Sequence, residues 1–191
     1  MSKILFIHGF ASSGSSPKVA DLSTMLQQQV IAPDLTHQPL ADIATLEKII
    51  TDNSIQLVVG SSLGGFYALY LMLKYHKNTV LINPSLTPQI TLMDQLGQVQ
   101  SFKRDADFDW TPQHIEQLQQ LADEIAVHMQ QDNLDLSQLL VLLAKHDERL
   151  NYQDALAMFQ GAKMIIDEEQ DHRFSDIQRY QLAIQALYLK Q

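Results

Sequence analysis

Leu57-Val58-Val59-Gly60-Ser61-Ser62-Leu63-Gly64-Gly65-Phe66 passes from a β-branched run through Gly-x-Ser-x-Gly into a helical pattern of Leu63, Phe66, Tyr67, Tyr70, Leu71 and Lys74. Strand, sharp turn and helix are the setting in which this motif forms a nucleophile elbow. Such an elbow lifts one serine hydroxyl above a sheet, at a helix N-terminus whose N–H groups can meet developing negative charge. Gly60 and Gly64 stand two residues to either side of Ser62, where a Cβ would hold strand and helix apart. Ser61 lacks that flanking pair and is the weaker candidate. A plain Gly/Ser turn is the bland alternative, and the strand before and helix after tell against it.

The pattern extends in both directions. Ile4 to Ile7 reads as a strand buried on both faces, followed by His8-Gly9-Phe10 and a Ser/Gly loop. Pro17 opens a helix, Gln29 to Ala32 form a second strand, and Ile43, Leu46, Ile49 and Ile50 mark a second helix. Ile55 to Val59 feed the elbow, and Thr79 to Ile82 form a fourth strand closed by Asn83-Pro84. Residues 84–137 hold no convincing strand and carry one long amphipathic helix after Thr111-Pro112. We read this stretch as a helical cap or lid, with a plain crossover helix as the equal alternative. Gln138 to Ala144 and Lys163 to Ile166 supply the fifth and sixth strands, and a last helix follows Ser175-Asp176. The expectation is one domain over residues 1–191: an α/β fold of three layers, α/β/α, around a mostly parallel six-stranded sheet.

Composition sets the boundaries. The 191 residues are 46% hydrophobic and 18% charged, as in an ordinary globule. A formal net charge of −9 argues against nucleic acid and anionic membranes as partners. There are no cysteines, which removes disulfides and thiolate chemistry and suits a reducing compartment. The N-terminal apolar run is too short for a signal peptide and no run is long enough to span a bilayer, so the cytoplasm is the expected location. No His-Glu-x-x-His, Gly-x-Gly-x-x-Gly or Walker A pattern is present, so neither a metal nor a nucleotide cofactor is expected. Oligomeric state is not readable.

Ligands of doubly wound sheets bind beyond the carboxyl ends of the strands. His8, Ser62, Asp147 and His172 all fall just past predicted strand ends, hence on one rim. A serine hydroxyl needs a base within hydrogen-bond reach, and the base needs an acceptor for its second nitrogen. Among seven histidines His172 is the best placed base, after the last strand and before the last helix. His76, His114 and His128 fall on helices or their ends, His37 in an early loop, and His146 beside the proposed acid. Asp147 is the candidate acid, with Glu148 and the acids before His172 as competitors. Backbone N–H groups of Leu63 and Phe10 would form the oxyanion hole, with His8 and Gly9 orienting that loop. The order Ser62, Asp147, His172 is that of the α/β-hydrolases.

Leu5-Phe6-Ile7-His8-Gly9-Phe10, the elbow through Ala68, Ile82-Asn83-Pro84, Asp147-Glu148 with Asn151-Tyr152, and His172-Arg173-Phe174 together resemble the small bacterial YqiA-type esterases of the α/β-hydrolase superfamily. The resemblance spans almost the whole chain. It implies a compact hydrolase of carboxylic esters, with acyl-CoA thioesters as a further substrate class, using Ser62 as nucleophile, Asp147 as acid and His172 as base. With the oxyanion loop after the first strand, the expected strand order is 2-1-3-4-5-6. Phe10, Phe102, Phe108 and Trp110 are candidate pocket residues, against ordinary packing as the alternative. Lys103, Arg104, Lys145 and Arg173 could meet a phosphate-bearing leaving group, although such residues are more often solvated charges. Two other readings remain: a non-catalytic binding protein on the same fold, and a hydrolase of carbon–carbon or amide bonds with the same triad.

Overall fold

In the computed structural model, which describes residues 2–101, 107–131 and 135–190, six parallel strands form one sheet. They are β1 (Lys3–Ile7), β2 (Gln29–Ile31), β3 (Ile55–Ser61), β4 (Asn78–Ile82), β7 (Leu139–Ala144) and β8 (Lys163–Asp167). Their order across the sheet is β2-β1-β3-β4-β7-β8, which is the expected 2-1-3-4-5-6. Adjacent registers include Leu5↔Val58, Val59↔Val80 and Leu81↔Val141, so apolar residues meet across the middle of the central strands.

The near-continuous apolar strands reflect burial on both faces. Leu5, Ile7, Val58, Leu81, Val141 and Leu143 point to one side. There they meet α2 (Pro39–Asp52), α3 (Leu63–Tyr75), α5 (Pro112–Gln131) and Ala155 of α6 (Tyr152–Met158). Their neighbours Ile4, Phe6, Leu57, Val59, Val80 and Leu142 face α1 (Pro17–Leu26) and α7 (Gln181–Tyr188). Alternate residues therefore build two cores, and truncating one of these buried leucines to alanine costs about 2–5 kcal/mol. Helix α3 is buried over most of its surface, wedged between sheet and α5. Among the described residues, no helix is long and apolar enough to cross a membrane.

The stretch between β4 and β7 differs from the sequence expectation in one respect. After the short α4 (Pro88–Thr91), β5 (Gly97–Val99) and β6 (Phe108–Trp110) pair as a two-stranded antiparallel ribbon. Three-residue strands are too short to show the alternation that identifies a strand in sequence. Helix α5 then lies on α2 and α3, burying Leu118, Leu121 and Ile125. Gln117 accepts the Leu40 N–H at 3.3 Å, and the Tyr70 hydroxyl donates to Glu124 at 3.0 Å.

Candidate active site

The elbow forms between β3 and α3. Ser62 stands alone between the last strand residue and the first helical one, at φ 56° and ψ −121°. That conformation is unfavourable for a residue with a Cβ and costs about 1–3 kcal/mol. The surroundings enforce it. The Ser62 N–H donates to the Ile82 carbonyl at 3.0 Å, and its own carbonyl accepts from Gly65 and Ser85 at 2.8 and 3.1 Å. The flanking glycines allow the approach: a Cβ on Gly60 would sit 2.1 Å from the Gly64 carbonyl, and one on Gly64 would sit 2.1 Å from the Ile7 carbonyl. Leu63, as the first residue of α3, carries an N–H without a partner one turn earlier in the helix.

The loop after β1 lies against this turn. A Cβ built on Gly9 would be 3.2 Å from Ser62 Cβ and 3.6 Å from its Oγ. His8 is buried, and its ring has defined roles. Nε2 accepts the Leu35 N–H at 3.1 Å, so Nδ1 carries the proton and donates to the Gly9 carbonyl at 2.8 Å. The imidazole is thus a neutral fixture of the loop.

Asp147 and His172 are brought together from the ends of β7 and β8. His172 Nδ1 lies 3.0 and 2.9 Å from the two Asp147 carboxylate oxygens, with the side chains only 13% and 2% exposed. Asp147 Oδ1 also accepts the N–H groups of Arg149 and Leu150 at 2.8 and 2.9 Å. Burial raises the Asp147 carboxyl, but the His172 hydrogen bond and those two N–H donors outweigh it and hold it below the ordinary aspartate value. A proton on Nδ1 facing the carboxylate leaves Nε2 as the acceptor. The competing acids are engaged elsewhere. Glu148 accepts the His172 backbone N–H at 3.1 Å, Glu168 pairs with Lys145 at 2.5 Å, and Asp167 accepts from the Tyr180 hydroxyl.

Asn83 was not foreseen as a site residue, because Asn-Pro after a strand reads as a simple stop. It is buried at φ 41° and its amide donates to the carbonyls of Asp171 and His172 at 3.0 and 3.2 Å. Its oxygen accepts the Ala144 N–H at 2.8 Å. Since Ile82 holds the Ser62 N–H, two adjacent residues at the end of β4 fix both the elbow and the base loop. Among the described residues no hydrogen bond joins the Ser62 hydroxyl to His172; in ligand-free sites such bonds are often long and tighten with substrate.

The aromatic candidates divide. Trp110 is buried, donates to the Leu92 carbonyl at 3.1 Å and meets Phe10 edge-on at 4.8 Å between ring centres. Phe108 is half-buried and stacks on His37 at 4.2 Å, while Phe10 meets both. His37, placed in sequence only as a loop residue, is therefore part of this aromatic cluster. Phe102, Lys103 and Arg104 lie outside the described residues. Lys145 is occupied by Glu168, whereas Arg173 is tied through its backbone carbonyl to Lys18 at 2.6 Å.

Known proteins share this architecture. YcfP from Salmonella paratyphi A is 29% identical over 96% of this chain and 97% of its own length. A Shewanella woodyi relative is 26% identical over 90% of both. Among solved structures, an Agrobacterium vitis S4 protein superposes with a TM-score of 0.71 at 19% identity, covering 98% of this chain and 88% of its own. Est1E from Butyrivibrio proteoclasticus gives 0.69 at 11%, with 98% and 85% covered. The esterase domain of a Rhodothermus marinus protein gives 0.65 at 18%, with 96% and 85% covered. These likenesses are those of the α/β-hydrolase fold. The Uncharacterised protein family (UPF0227) matches residues 3–189, and the chain belongs to it.

Proposed function

We propose that the protein is a serine hydrolase of carboxylic esters. The observation that carries this reading is the buried Asp147–His172 hydrogen-bonded pair, joined with a serine held at positive φ on a strand-to-helix turn at the carboxyl end of the same sheet. Esterases among the superposable structures support it. In the reaction, Ser62 Oγ attacks the acyl carbonyl while His172 Nε2 takes its proton. The oxyanion is met by the N–H groups of Leu63 and Phe10. His172 returns the proton to the departing alkoxide, and Asp147 steadies the imidazolium. Water, deprotonated by His172, then adds to the acyl-enzyme carbonyl, and Ser62 departs with the proton.

The test is Ser62→Ala assayed with p-nitrophenyl esters of graded chain length and with acyl-CoA thioesters. Hydrolysis should fall to background in a folded protein, and a fluorophosphonate should label wild type at Ser62. Retained turnover, or no labelling of folded wild type, would defeat the proposal and favour a binding protein on this fold. The same screen decides between oxygen and sulfur leaving groups.

A further inference from the structure

The Gly9–Phe10 peptide unit decides whether the Phe10 N–H can serve an oxyanion. A trans peptide directs its N–H opposite to its C=O, so fixing the Gly9 carbonyl fixes the Phe10 donor. His8 Nδ1 fixes that carbonyl at 2.8 Å, and the Ser12 N–H supports it at 3.3 Å. In the neutral His8 ring Nδ1 is the donor when Nε2 is the acceptor, and the Leu35 N–H at 3.1 Å selects that tautomer. Leu35 is itself in a loop, between β2 and α2, with no strand to hold it.

What holds that loop is Asp42. Its carboxylate is 1% exposed in the first turn of α2, and Oδ1 accepts both the Thr36 N–H at 2.7 Å and the Thr36 hydroxyl at 2.8 Å. Thr36 Oγ1 in turn accepts the Gln38 N–H at 3.3 Å. A buried carboxyl oxygen accepting two hydrogen bonds in a dry setting is a directional anchor. Next along the chain, His37 stacks on Phe108 and lies edge-on to Phe10.

We propose that Asp42 is a positioning residue for ester hydrolysis: through Thr36, Leu35 and His8 it sets the orientation of the Gly9–Phe10 peptide and hence of the Phe10 oxyanion donor. This rests on the esterase reading above. Asp42 acts through other groups and touches no reacting atom.

The experiment uses the full chain, with rates normalised to the fraction of Ser62 that a fluorophosphonate finally labels. Asp42→Ala should lower kcat on p-nitrophenyl acetate about tenfold to a hundredfold, the range for a misplaced reacting group or donor, with KM within about twofold. A trifluoromethyl ketone, whose adduct oxygen needs the same donors, should lose affinity by a factor matching kcat/KM. Asp42→Asn keeps an oxygen acceptor and should restore most of both. If Asp42→Ala fails to fold, Thr36→Val, which deletes one of the two donors at near-constant volume, should show the same paired losses at smaller size. Folded variants with wild-type kcat and inhibitor affinity overturn the positioning role while leaving Ser62 as nucleophile; turnover by Ser62→Ala overturns the esterase reading itself, and the role falls with it.

Discussion

At the amino edge of the sheet, the non-glycine residues with positive φ among the described residues are Gln27 and His76, each an ordinary left-handed cap closing α1 or α3. At the carboxyl edge there are five among the described residues: Ala11, His37, Ser62, Asn83 and Phe174, in the loops after β1, β2, β3, β4 and β8. The amino edge also satisfies its polar groups in routine ways. The Asn78 amide donates to the carbonyls of Leu187 and Lys190 at 3.0 and 2.8 Å, and Gln56 donates to Tyr188 at 2.7 Å, closing the end of α7. One edge is thus relaxed, whereas the other carries the strain of Ser62, whose ψ of −121° lies outside the left-handed helical region. Strain of this kind persists only where surrounding contacts over-determine it, and it concentrates where side chains must be presented in set directions. The comparison teaches that the carboxyl edge has been shaped against stability, while the amino edge secures it.

The contrast can be broken most directly by chemistry. Asp147→Asn should leave the fold intact and lower kcat on p-nitrophenyl esters about 10⁴-fold, because the imidazole tautomer is no longer enforced. A loss below tenfold would remove Asp147 from the proton path. The same residue makes a stability prediction. Its folded pKa lies below the ordinary aspartate value, so the unfolded chain takes up this proton first. The stabilisation from Asp147 is therefore complete above about pH 4 and fades as pH falls through the lowered folded value. Urea unfolding across pH 5 to about 2 should show a shallower decline for Asp147→Asn than for wild type.

Asn78→Ala probes the relaxed edge. It should cost about 1–3 kcal/mol of stability through two stranded carbonyls and leave kcat unchanged. A change in kcat larger than its loss of folded fraction would show that the two edges are coupled. Ser62→Gly should do the opposite, abolishing hydrolysis while raising the unfolding free energy by about 1 kcal/mol as the positive φ becomes unstrained. Smallest of all, His76→Gly at an exposed cap should stabilise by no more than about 1 kcal/mol with activity untouched. If instead His76→Gly gained more than Ser62→Gly, the assignment of strain to the carboxyl edge would be wrong.

Local signals explain why the sheet order and the elbow were legible. Leu139 to Ala144 is an unbroken apolar run, and Gly60 to Gly64 names its own turn. Longer-range choices were not legible. Asp147 and Glu148 are neighbours of the same charge, and only the turn after β7 decides that one receives the imidazole and the other the backbone N–H of His172. Asp42 sits in an amphipathic helix where any polar residue would read as solvent-facing. It is buried because residues 34–38 fold back over it, an arrangement that no periodicity encodes. Asn83 acquires its three partners from β7 and the loop after β8, remote in sequence.

The chain has a single tryptophan, and it is Trp110. It stacks on His114 at 4.7 Å between ring centres and meets Phe10 edge-on, so its surroundings include the loop that carries the proposed oxyanion donor. The molecule consequently holds a built-in optical gauge, with no competing indole elsewhere. Burial lowers the His114 pKa, so emission should stay constant through neutrality and dim only in more acidic solution as the stacked imidazole gains its proton. At neutral pH, a shift in that emission on inhibitor binding would report movement of the oxyanion loop in real time, without a label.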